Sequence, residues 1–213
     1  MMMEKYNKVI HTIGYAPHTI DSFIATLKKF NITAIADVRS LPYSKFKPEF
    51  NRENLKKDLI NNCIEYVFLG DNIGARIKAP ECYKNGQADY ELISKHHLFQ
   101  EGIERLLKGM GNFSIALMCA EKDPINCHRT ILICKYLKKY QIKIYHIIDA
   151  HTYEDHAKTE LRLMRLFHLE QPDLFMKDSE RLEEAYYRQE EKIAYVSETQ
   201  GEYKPDDKGA NHE

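Results

Sequence analysis

FSIALMCAEKDPINCHR, residues 113–129, decides how this chain is read. Its first seven residues form a short apolar run. The run ends abruptly in two cysteines, a histidine, an arginine and carboxylates, and a helical pattern follows, ending before Gln141. A buried strand that releases polar residues at its carboxyl end and then turns into a helix is part of a βαβ unit. Four more Val- and Ile-rich runs share the pattern: KVIHTIG (8–14), ITAIADV (32–38), IEYVFLG (64–70) and IKIYHII (142–148). Between them lie helical spacings. Thr19 caps one with Phe23, Leu27 and Phe30 on a face, and Asn51 precedes another with Leu55 and Leu59. Asp89 to Lys108 carries Leu92, Phe99, Ile103 and Leu106 and stops at Gly109 to Gly111, and a fourth helix starts near Asp123 or Asn126. The expectation is an α/β domain over residues 1–150: three layers around a mainly parallel five-stranded sheet, Rossmann-like or flavodoxin-like.

After His151 the strand signal vanishes. A helical extension over 151–196 is expected instead, built from ELRLMRLF (160–167) and DSERLEEAYYRQEEKIAYV (178–196). Leu182, Tyr186, Ile193 and Val196 form its apolar stripe, suited to covering the sheet or to contact with a second copy of the chain, a homo-oligomer. Residues 197–213 are polar and read as a disordered tail. Two connections, 40–50 and 71–88, are too long for simple turns and leave the carboxyl ends of strands, where open α/β sheets hold ligands.

Thirty-one Lys and Arg stand against thirty-two Asp and Glu, so no global field draws the chain to nucleic acid or anionic lipid. Five cysteines, an odd number, with no apolar signal segment, point to a reduced cytoplasmic setting. No apolar run reaches the roughly 20 residues that span a bilayer, so no membrane is expected. Neither a GxGxxG nor a GxxxxGK[ST] sequence occurs, which argues against a dinucleotide cofactor or that class of nucleoside triphosphatase.

Four motifs in order, HTIGYAPHTIDSF, ADVRSLPYSKFKPEFN, YVFLGDNIGAR and LMCAEKDPINCHR, give the chain a further handle. Over roughly residues 8–150 it resembles the widespread prokaryotic family known as domain of unknown function four-eight-eight. The resemblance implies a shared fold and a site built from these motifs, and it implies no particular reaction.

The residues suggest chemistry of their own. A helix start at Cys127-His128-Arg129 would favour anions and lower a thiol's pKa, making Cys127 a candidate nucleophile with His128 or Glu121 handling protons and Cys119 beside it. Asp37 and Arg39 leave the second strand on one face, and Arg39 with Arg129 would clamp a phosphate or carboxylate. Gly14 and Tyr15 allow a tight turn at the same edge, and Ser44 and Gly74 complete the expected substrate-binding set. Tyr43, Phe46 and Phe50, interleaved with Lys45, Lys47 and Arg52, resemble a stacking surface for bases, so nucleic acid is a weaker partner than a small nucleotide-like anion. Two thiolates and an imidazole, with His11 or Asp37 as a fourth ligand, would suit a metal. No CxxC or HxxxH spacing occurs, however, and neighbours on a helix point about 100° apart, so a metal ranks second to a free thiol.

The sequence thus points to an enzyme acting on a phosphate-bearing or nucleotide-like anion, by thiol-based group transfer or hydrolysis. Alternatives are a non-catalytic nucleotide or nucleic-acid binding module, a metal-dependent hydrolase and, least favoured because AEKDPIN lacks glycine, a rhodanese-like sulfurtransferase.

Overall fold

The computed structural model describes residues 9–197; the expected tail lies outside these from residue 198 onward. Its main sheet contains β1 (Val9–Gly14), β2 (Ala34–Asp37), β3 (Glu65–Phe68), β6 (Ile115–Cys119), β7 (Lys143–Ile147) and β8 (Tyr153–Asp155), in the order β3-β2-β6-β1-β7-β8. The five expected runs are all present as strands and pair parallel with one another. The expected strand count is corrected to six. Tyr153–Asp155, placed by sequence beyond the last strand, pairs antiparallel with β7. Three mixed residues carry too little pattern to be read as a strand. What sets them is the preceding turn, in which Asp149 Oδ1 accepts from the amides of His151 (2.7 Å) and Thr152 (2.9 Å).

The central strands β2 and β6 are buried along their whole length, as expected for parallel strands covered on both faces. On one face Ile13, Ile35, Ala116, Met118 and Ile147 meet Phe23 and Leu27 of α1 (Ile20–Lys29) and Leu55 and Leu59 of α2 (Arg52–Asn61). Thr19 caps α1 with a reciprocal Ser22 contact. The other face is covered by α5 (His97–Met110), a helical segment at 129–140 and two C-terminal helices, α7 (His156–Leu166) and α8 (Asp178–Ile193), which bury Leu163, Met164, Ala185 and Tyr186 there.

Three local expectations change. The single helix over 89–108 is two, α4 (Tyr90–Lys95) and α5, because His96 is extended (φ −72°, ψ 142°) and caps α5 by accepting from the Leu98 amide at 3.3 Å. The 71–88 connection begins with the short helix α3 (Gly70–Ile73) and holds a hairpin, β4 (Tyr83–Lys84) with β5 (Gln87–Ala88). Asn85 (φ 50°) and Gly86 (φ 78°) make its turn, an Asn-Gly signal for a tight hairpin. Finally, the helix expected from Asp123 is interrupted. A 3-10 turn (Pro124–Asn126) closes, Cys127 is extended (φ −139°, ψ 139°), and only then does the chain wind through a π-helical stretch (Arg129–Cys134) into α6 (Lys135–Leu137).

The 40–50 loop divides its aromatics. Phe50 is fully buried against Phe23 and stacks on Tyr15 with centroids 4.5 Å apart, whereas Phe46 is 96% exposed. Phe50 is therefore core, and only Tyr43 and Phe46 remain of the expected stacking surface. Phe50→Ala should cost about 3–5 kcal/mol in urea unfolding. Phe46→Ala should change stability by less than about 0.5 kcal/mol, and comparable losses would refute this division.

Candidate functional site

Gly14, Asp37 and Cys119 end three adjacent strands, β1, β2 and β6, so the residues that follow them converge on one edge. Gly14 is required there by contact. A Cβ on it would lie 1.8 Å from the Glu121 carbonyl oxygen. Backbone hydrogen bonds from Tyr15 to Cys119 and from Ala16 to Ala120, both 3.0 Å, hold the two strand exits together.

Arg129 fastens the loop from the inside. It is 1% exposed, and its Nη1 donates to the Glu121 carbonyl (2.7 Å), its Nη2 to the Lys122 carbonyl (3.3 Å) and its Nε to Thr12 Oγ1 (3.3 Å). The expected anion clamp of Arg39 with Arg129 is therefore not formed: Arg129 belongs to the fold, because a buried guanidinium must find acceptors and the loop carbonyls supply them.

The loop so fixed brings Cys119, Cys127 and His128 together, with Sγ, Sγ and Nδ1 all within 4.8 Å of one another and each sulfur 3.8 Å from Nδ1. The extended conformation of Cys127 removes the helix-based objection that Cys127 and His128 point apart. All three are buried. Burial opposes ionisation of Cys127, but the Cys119 thiol and the Arg129 and His128 charges outweigh it and hold its pKa well below the ordinary thiol value. Cys119 goes the other way, raised by its contact with Cys127 and by burial. Glu121 is exposed overall, but its carboxyl faces the two thiols, and loss of solvent together with Cys127 raises its pKa. The Tyr90 hydroxyl is buried without a hydrogen-bond partner among the described residues, and its pKa is raised by burial and then by Cys127. Nothing in the motif pattern singled it out.

Asp37 and Arg39 form a buried pair with Nε to Oδ1 at 2.9 Å and Nη2 to Oδ2 at 2.7 Å. Tyr66, which the sequence reading missed, donates to Asp37 Oδ2 at 2.7 Å. A hydroxyl-bearing ring in a half-buried edge strand was its only signal. Burial works against the Arg39 charge, yet Asp37 overcomes it and holds the pKa above the usual arginine value. The guanidinium lies 5.0 Å from the Tyr15 ring centre, and its Nη1 is buried with no hydrogen-bond partner among the described residues. Ser44 orders its own loop by accepting from the Lys47 amide at 3.1 Å. Gly74 is a close-approach point, but to this chain's own Gly70 carbonyl and Ser40 hydroxyl. His11 packs between Phe30 and Tyr145 instead of joining the thiols, and Asp37 is held by Arg39, so neither expected fourth metal ligand is supplied. At the same edge a groove of about 420 Å³ is lined by His18, Ser22, Lys122 and Asp149. The Nε2 of His18 is buried and unpartnered among the described residues.

Behind Arg129 runs a row of buried polar groups. Thr12 Oγ1 lies 2.8 Å from His146 Nδ1, His146 Nε2 lies 2.9 Å from His156 Nδ1, and His156 Nε2 lies 3.2 Å from the Tyr186 hydroxyl, which donates to Glu160 at 2.8 Å. Arginine only donates and carboxylate only accepts, so both histidines are neutral with the proton on Nε2. Burial agrees, pushing His156 down to about 4 and His146 well below its ordinary value.

Two outcomes follow. Gly14→Ala should lose about 3 kcal/mol in unfolding, by driving the Glu121 carbonyl off Arg129; wild-type stability in this variant would sink the contact argument. The His156 pKa is lower folded than unfolded, so its stabilising contribution is full above pH 6.5 and lost as pH falls towards about 4, by up to about 3 kcal/mol. Urea midpoints at pH 7, 5.5 and 4 should fall less steeply in His156→Gln, and equal slopes would contradict the neutral pair.

No curated protein and no solved structure matches the chain. The family model described as Domain of unknown function DUF488 matches residues 19–136, more than half of the chain, from the cap of α1 through the cysteine–histidine cluster. The chain belongs to this family of proteins carrying the domain of unknown function DUF488.

Proposed function

We propose that the protein is an enzyme acting on a phosphate-bearing or nucleotide-like anion at the carboxyl edge of β1, β2 and β6. The observation that carries this reading is Arg39 Nη1, a buried donor without a partner among the described residues, on a guanidinium that Asp37 and Tyr66 hold in place. An orphaned charged donor in a well-packed interior marks a position for an acceptor from outside the chain. Tyr15 backs the guanidinium, and the neighbouring groove offers Lys122 and His18 for the remainder of a ligand. Glu121, whose carboxyl is raised above the usual carboxylate range by loss of solvent and by Cys127, is the group suited to proton transfer there.

Cys119, Cys127 and His128 are the reactive centre of this reading, which is what favours an enzyme over a simple binding module. A Rossmann-like or flavodoxin-like kinship is part of the same proposal, supported by helices on both faces and a ligand edge at the strand ends, although β6 stands between β1 and β2. A sulfurtransferase loop gains no support. The amides of Ile125, Asn126 and Cys127 are bonded within their own turn, to Asp123 Oδ1, the Asp123 carbonyl and the Pro124 carbonyl, and do not cradle the Cys127 sulfur.

The test is thermal unfolding with inorganic phosphate, pyrophosphate and adenosine monophosphate. At a hundredfold excess over Kd, a bound anion adds about 2.7 kcal/mol of stability. Arg39→Lys keeps the charge beside Asp37 but loses the fork, and should weaken that stabilisation at least about tenfold in concentration. No stabilisation of the wild type, or equal stabilisation of Arg39→Lys, overturns the reading.

A further inference from the structure

We infer that Cys119, Cys127 and His128 are three ligands of a thiophilic divalent cation of the zinc class, with Glu121 on the fourth, solvent-facing side. The inference deepens the proposed function and rests on it in one respect only: it names the reactive group of that site.

Spacing is the first argument. Metal–sulfur bonds of about 2.3 Å and metal–nitrogen bonds of about 2.0–2.1 Å in a tetrahedron put the donor atoms roughly 3.5–3.8 Å apart. Both sulfur-to-Nδ1 distances here are 3.8 Å, and the three donors lie within 4.8 Å of one another. Such a set needs only a small contraction to close on an ion.

The tautomer of His128 is the second. Its Nε2 lies 3.0 Å from the Val38 carbonyl, which can only accept, so Nε2 carries a proton and Nδ1, turned towards the sulfurs, is the nitrogen left for a cation. A backbone carbonyl behind the outer nitrogen is the usual support of a metal-bound imidazole.

The third is the grouping of the donors. The two sulfurs and Nδ1 are buried and face one another at a single point. A cation bound by both sulfurs and by Nδ1 satisfies all three atoms together. The donor set, two sulfurs and an imidazole nitrogen, selects zinc-like ions over magnesium or calcium, which prefer oxygen.

Rigidity is the fourth. Cys119 is fixed in β6 between β1 and β2, the Cys127 amide donates to the Pro124 carbonyl at 3.2 Å, and Arg129 pins the loop between them. The ligands are thus held by elements that do not depend on the ion. On the open side, Glu121 or a water would complete the shell beside the anion-binding Arg39, where a Lewis acid could polarise a phosphoryl oxygen.

The experiment is elemental analysis of the full chain purified without a metal-binding tag, followed by cobalt titration of the chelator-treated protein. About one zinc-like ion per chain is expected, together with thiolate-to-cobalt charge-transfer absorption that saturates at one equivalent. Cys119→Ser, Cys127→Ser and His128→Ala should each lose it, while Cys134→Ser, a buried thiol outside the cluster, should keep it. Metal below about a tenth of an equivalent, with no thiolate–cobalt band in the wild type at stoichiometric cobalt, overturns the inference, and because that arm uses the unaltered chain, misfolded variants cannot obscure it. If that result comes with Arg39-dependent phosphate stabilisation, the metal falls and the proposed function stands. If metal binds but phosphate stabilises Arg39→Lys equally, the proposed function falls and the metal stands.

Discussion

A guanidinium sealed in the interior has to be given acceptors, and the satisfaction of Arg129 organises the carboxyl edge of the sheet around β1 and β6. Two carbonyls from the loop after β6 and one hydroxyl from β1 meet its donors. Those contacts dictate where residues 120–128 run, and so where Cys119, Cys127 and His128 meet. Gly14 is the steric counterpart of this constraint, since the carbonyl that Arg129 holds is the one that no β-carbon on Gly14 could tolerate. Removing one partner from a buried charge commonly costs about 3–5 kcal/mol, so neither the arginine nor the loop path can change alone.

The second buried arginine makes an instructive contrast. Arg39 is clamped by Asp37 from its own strand end, which leaves one nitrogen unused, whereas each guanidinium nitrogen of Arg129 has an acceptor. Two residues of one type, both buried beside the same sheet edge, thus differ in how fully the chain satisfies them. Charge and position alone do not separate them; the count of satisfied donors does.

That distinction marks the limit of what the sequence reveals. The parallel strands were legible because their runs are rich in Val, Ile and other apolar residues, continuously so where β2 and β6 are buried on both faces, and the convergence of Tyr15, Arg39 and Cys119 on one edge followed from their places at strand ends. The conformation of Cys127 was not legible. Asp123 and Pro124 look like a helix start, but the turn they cap closes after three residues, and the thiol lies in the gap before winding resumes. The partners of Arg129 were hidden too, because backbone carbonyls carry no sequence signal. Thr12 and His146, by contrast, did leave a trace: they are polar residues inside apolar strands, and they prove to be register partners across β1 and β7. β8 was invisible because its three residues are ordered by a turn and by the neighbouring strand, with little intrinsic pattern of their own.

The row that links Thr12, His146, His156 and Tyr186 has a single sense from Arg129 to Glu160, since the first group can only give protons and the last can only take them. A member replaced by a side chain with a different number of donors and acceptors leaves a fault on both sides of it. These positions are therefore poorly free to drift one at a time. Over evolutionary change they should be exchanged as a block, the whole row giving way to packed hydrocarbon once its terminal charges are gone, which ties the substitution history of the C-terminal helices to that of the first strand.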